Sequence, residues 1–223
     1  MEQPLKLIDG IIQPKAHFTG LKESKIITGF GWRLTILVFA SGILNATYSY
    51  MGLGTEELMS QMDQVSASKL EWAKVVMGLG TFLGGLIYPI FLILFFSLLF
   101  LIFFKELNFR SLLYLQLYIV PIFLFEKLFN LPYYLLLGID RTLSPHSLGP
   151  IFQQFLSYDF FIYFISSFTF FNLWAIFIQS MSLHILSSQG LKRTLIIVVA
   201  SHLFLSLLTA LTATLINQVH IIL

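Results

Sequence analysis

Long apolar runs alternate with short polar breaks along most of this chain. The runs cover 32–51, 75–104, 112–138, 160–186 and 195–218. A helix rises about 1.5 Å per residue, so about 20 apolar residues cross a hydrocarbon core of roughly 30 Å. Phe160 to Leu186 and Leu195 to Ile216 contain no Asp, Glu, Lys or Arg. Their seven-residue hinge, Ser187 to Arg193, holds Lys192 and Arg193 and no acid. Lipid leaves backbone N–H and C=O groups no outside partner, so each run predicts a transmembrane helix. The pattern predicts an all-α polytopic membrane protein with a five-helix membrane domain over 32–219.

Residues 1–31 break that pattern. Leu5, Leu7, Ile8, Ile11 and Ile12 form a small apolar face before Pro14, and Phe18, Leu21 and Ile26 form a second. Lysines and acids stand between them, which predicts an amphipathic tail along the cytoplasmic interface rather than a solvated one. No short apolar core precedes a small-residue cleavage site there, so a removable signal peptide is not expected.

Charge sets the expected orientation. The tail, the 105–110 loop and the hinge hold Lys6, Lys15, Lys22, Lys25, Arg33, Lys105, Arg110, Lys192 and Arg193. The intervening loops hold Lys69, Lys74 and Arg141, and Lys127 lies in a run. Basic residues favour the cytoplasmic side, so the amino terminus is expected inside and the carboxyl terminus outside. The acidic stretch Gly52 to Lys74, and Ile139 to Asp159, are then extracytoplasmic.

Composition narrows the class further. The 223 residues are 57% hydrophobic and 11% charged, against about 25% charged in soluble domains. There is no cysteine, which excludes disulfides and thiolate metal sites. A net charge of +2 gives no reason to expect nucleic acid.

Three features carry candidate chemistry. Gly80 and Gly84 form a GxxxG pair, which lets another backbone approach; packing within the chain is the first expectation and a partner or homo-oligomer the second. Glu126 and Lys127 stand inside the third run, where an ionisable group costs about 2.5–3.5 kcal/mol and must pair, face protein or reach water. Asn172 and Gln179 are the expected partners of Glu126, with a role for the charges that is either functional or structural. His17, His146, His184, His202 and His220 have no i,i+4 pair, HExxH, GxSxG and GxxxxGK[ST] do not occur, and neither metal nor cofactor is expected.

The stretch FFNLWAIFIQSMSLHILSSQGLKRTLIIVVASHLFL, with Asn172-Leu173-Trp174 near its start, resembles the closing hairpin of the YIP family (Ypt/Rab-interacting type). GIIQPKAHFTGLKESK, carrying Pro14 and Phe18, resembles that family's opening segment. FRSLLYLQLYIVP and SPHSLGPIFQQFL are similar to its YknW-like bacterial subgroup. The resemblance implies five transmembrane helices and a non-enzymatic role in a bacterial plasma membrane. It also implies partners among ABC-type exporter subunits (permease, ATPase or membrane-fusion protein) whose assembly the protein modulates. The alternative is a small transporter or channel with a polar path around Glu126 and Lys127.

Overall fold

The computed structural model describes residues 2–24, 26–53, 67–138 and 143–222, with side chains of the two longest helices described over 71–103 and 191–216. Five spans are long and apolar enough to cross a membrane: Phe30–Tyr50, Glu71–Phe103, Phe109–Leu137, Phe170–Ser187 and Leu191–Ile216. The protein is a multi-pass, all-α membrane protein. Much of the acidic stretch, including Glu56, Glu57 and Asp63, and also Asp140 and Arg141, lies outside the described residues.

The amino-terminal segment is a folded unit. Strand β1 (Glu2–Pro4) pairs in parallel with β2 (Ile26–Thr28), Glu2 opposite Ile26. Parallel strands need a crossover, which α1 (Leu7–Ile12) and α2 (Pro14–Glu23) supply. Pro14 sits in the first turn of α2, where a missing N–H leaves no bond unmade. The tail's apolar residues divide between the protein core and the surface. Leu5 and Phe18 are fully buried and Leu21 nearly so, while Ile8 and Ile12 of α1 are exposed. His17 Nε2 and the Tyr118 hydroxyl are 2.6 Å apart, and the Phe18 ring meets Tyr118 edge-on at 5.0 Å. Phe18 thus plugs one end of the helix bundle.

Helix α3 (Phe30–Tyr50) and α4 (Ala67–Phe103) form the most extensive helix pair. Helix α4 begins ahead of Val75, so Glu71 and Lys74 fall on it as an i,i+3 pair at 3.3 Å rather than in a loop. Its 33-residue membrane segment spans roughly 50 Å, more than a bilayer core needs, and Pro89 lies inside it. The third span is two helices, α5 (Phe109–Gln116) and α6 (Ile119–Leu137). Pro121 is the third residue of α6, where an N–H has no intrahelical acceptor, so the helix restarts without strain.

The expected continuous run 160–186 is broken. Short α7 (Gly149–Phe152) leads to α8 (Asp159–Ser166), which packs on the last helix. Ser167 to Thr169 interrupt the run, and α9 (Phe170–Ser187) starts with the Thr169 hydroxyl accepting from the Asn172 N–H at 3.1 Å. That is an N-cap, satisfying a donor that would otherwise be left without a partner in the membrane. Helix α10 (Leu191–Ile222) completes the bundle.

The tail, the 104–108 loop and the hinge meet at one end. Lys22 Nζ donates to Ser188 Oγ at 2.6 Å, and Gln189 Nε2 donates to Glu106 Oε1 at 2.7 Å. The half next to this end is packed solid, with Phe96, Phe100, Phe104, Leu112, Leu117 and Tyr118 fully buried.

Candidate functional site

The opposite half contains a polar cavity of about 500 Å³. Helix α6 supplies Glu126, Lys127, Asn130 and Tyr134 to its wall. Asn45 and Tyr48 come from α3, Tyr88 from α4, and Ser144 from the loop after α6. The α8–α9 break adds Ser166, Ser167, Thr169 and Asn172, and α10 adds His202, Ser206 and Thr209. A polar wall in this setting resolves the cost of two ionisable groups inside a span.

Glu126 and Lys127 are neighbours in sequence and turn to different partners. Lys127 Nζ donates to Asn45 Oδ1 at 3.2 Å and lies 4.6 Å from the centroid of the Tyr88 ring. Asn45 is itself fixed, since its Nδ2 donates to the Ser41 carbonyl at 2.8 Å. The Tyr48 hydroxyl donates to the Lys127 carbonyl oxygen, tying α3 to α6 at this level. Glu126 shares the cavity wall with Thr169 and Ser144. The Thr169 hydroxyl accepts the α9 N-cap bond there. The interruption of the 160–186 run therefore brings a hydroxyl to the same wall as the carboxylate.

The expected partners of Glu126 are elsewhere. Gln179 is fully buried and belongs to a separate chain of bonds. His202 Nε2 and Gln179 Oε1 are 2.6 Å apart, and Gln179 Nε2 donates to Gln116 Oε1 at 2.5 Å. Gln116 also has no exposed surface, so this triad ties α5, α9 and α10 together inside the bundle. The His202 ring lies 4.7 Å from Phe96 and lines the cavity. Asn172 does line the cavity, but its Nδ2 donates to the Ser167 carbonyl at 2.8 Å and stabilises the helix break. Trp174 packs half-buried at the edge of the core, 6.1 Å from the Phe170 ring.

The glycines also separate. Among the described residues a Cβ on Gly80 or Gly84 meets nothing within 4 Å, so neither holds another described helix of this chain. The close approach belongs to Gly85 and Gly42. A Cβ on Gly85 would stand 2.7 Å from the Ser41 carbonyl oxygen and 2.8 Å from Gly42 Cα. Glycine spacing identified a strip but not which way it faces, and the expected packing within the chain is corrected to Gly42–Gly85.

Pro14 and Phe18 serve the docking of the tail and do not reach the cavity. His184 is close to its own hinge, Nδ1 to the Gln189 carbonyl oxygen at 2.5 Å. Among the described residues no three His, Asp or Glu side chains gather as metal ligands. No family model, curated protein or solved structure matches the chain.

Proposed function

We propose that the protein is a non-enzymatic accessory protein of a bacterial plasma membrane, acting through contacts with other membrane proteins. Its partners on this reading are subunits of an ABC-type exporter whose assembly it modulates, as the YIP-family resemblance implies. The basic end with the tail faces the cytoplasm and the cavity lies toward the outer leaflet. One observation carries the reading over transport. His202 of the cavity wall bonds to Gln179, and Gln179, Gln116, Phe96, Phe100 and Phe104 have no exposed surface among the described residues, which favours a binding site over a passage.

The uncovered Gly80–Gly84 strip of α4 supplies a surface for a partner helix, because small residues let backbones approach closely. Purification of the chain and its Gly84→Ile variant from native membranes in mild detergent tests this. Exporter subunits retained by the wild type and lost by the variant are expected. Transport is the second reading, favoured by the cavity itself, and solute flux by the purified chain in liposomes would establish it instead.

A further inference from the structure

Two fully buried side-chain atoms of the cavity residues have no hydrogen-bond partner, and they share a chemistry. Asn130 Oδ1 and Asn172 Oδ1 are buried without a hydrogen-bond partner. Asn130 is itself only 4% exposed and follows Glu126 by one helical turn on the same face of α6. Asn172 Nδ2 donates to a carbonyl oxygen, which only accepts, so the oxygen of that amide is the atom left over. Asn130 and Asn172 line the same cavity as Glu126. Amide and carboxylate oxygens are all acceptors. A buried acceptor left unmet is costly, about 1–3 kcal/mol in protein mutants.

We infer that the cavity around Glu126 binds a primary ammonium group, held by the Glu126 carboxylate and the side-chain oxygens of Asn130 and Asn172. A primary ammonium offers three N–H donors and no acceptor, which suits a set of three acceptors. The cavity already houses one such group: Lys127 Nζ rests on an amide oxygen and an aromatic face. The group can arrive on a soluble amine or on the phosphatidylethanolamine headgroup of a membrane lipid. The inference goes beyond the accessory role and does not depend on it.

The test uses the full chain in phosphatidylcholine nanodiscs, whose trimethylammonium headgroup carries no N–H. Ethylammonium is titrated against ethanol and sodium chloride, reading the thermal midpoint and tyrosine fluorescence. Saturable stabilisation by ethylammonium and none by ethanol is expected. Glu126→Gln should weaken it about ten- to a hundredfold, as loss of a charged hydrogen bond does. Asn172→Ala keeps the backbone N–H that binds Thr169, and it should weaken binding severalfold even if Glu126→Gln does not fold. Nanodiscs containing phosphatidylethanolamine separate the sources: competition with ethylammonium assigns the site to lipid, and no competition to a soluble amine. The inference is overturned if neither ethylammonium nor phosphatidylethanolamine binds, if sodium is equally effective, or if Asn172→Ala binds like the wild type.

Discussion

Adjacent glycines on α4 give the packing of the membrane domain a sharp test. Gly84 and Gly85 share one helix and differ by about 100° in direction. A methyl group at residue 84 enters open space, whereas at residue 85 it falls 2.7 Å from a backbone oxygen and 2.8 Å from a backbone carbon of α3. Those atoms cannot rotate away, so α3 and α4 must separate by several tenths of an ångström. Overpacking of this kind costs about 1–3 kcal/mol. The shift also disturbs Asn45, whose Nδ2 is another 2.8 Å neighbour of the added methyl and whose Oδ1 receives Lys127. Gly85→Ala is therefore expected to lose about 1–3 kcal/mol, and Gly84→Ala to stay within about 0.5 kcal/mol of the wild type, as sites without contacts do. Both variants would be unfolded reversibly by sodium dodecyl sulfate in mixed micelles, followed by circular dichroism. Equal losses, or a neutral Gly85→Ala, would refute the α3–α4 register.

Burial holds the His17 pKa below its ordinary value, against an opposing pull from Asp9 and with a smaller lowering from Lys6. The folded tail keeps this imidazole neutral beside Tyr118, so the unfolded tail binds more protons as the pH falls below about 6.5, and docking weakens there. Protection of the α2 amides, taken as exchange relative to the intrinsic rate at each pH, should accordingly fall between pH 7.5 and pH 5, and a His17→Gln variant should lose most of that dependence; higher protection at pH 5 would contradict it. Gln179→Leu strands both Gln116 and His202 and is expected to cost about 2–5 kcal/mol, read in the same micelle titration. A loss below about 1 kcal/mol would show that the triad is not closed. Reporters placed in the Gln189–Gly190 hinge and after Leu223 should report cytoplasm and exterior respectively, and the same side for both would remove the five-span topology.

The spans were legible because length and freedom from charge are properties of composition along the chain. The breaks were less so. Phe160 to Leu186 reads the same whether it is one helix or two, since lipid-facing residues carry no period that marks an interruption. Ser166, Ser167 and Thr169 ahead of Asn172 did offer a capping signal, and weighing hydroxyls as caps inside an apolar run would have found it. Glu126 and Lys127 stood out by cost alone, but the Lys127 partner is Asn45 and the cavity wall around Glu126 includes Ser144 and Thr169, and no local spacing connects those positions. The tail's apolar faces were visible as well, though an amphipathic pattern does not distinguish a lipid surface from the end of a bundle. Phe18 chose the bundle, where a fully buried aromatic ring contributes about 1.5–3 kcal/mol and Tyr118 receives it edge-on.

An accessory membrane protein and a conduit differ in the company they keep in the membrane. Wild type and Gly84→Ile would be isolated from native membranes in mild detergent, with bound proteins identified by mass spectrometry. The account predicts permease, ATPase or membrane-fusion subunits of an ABC-type exporter with the wild type, depleted with the variant. Recovery of the chain alone, together with solute flux when it is reconstituted into liposomes, would contradict it.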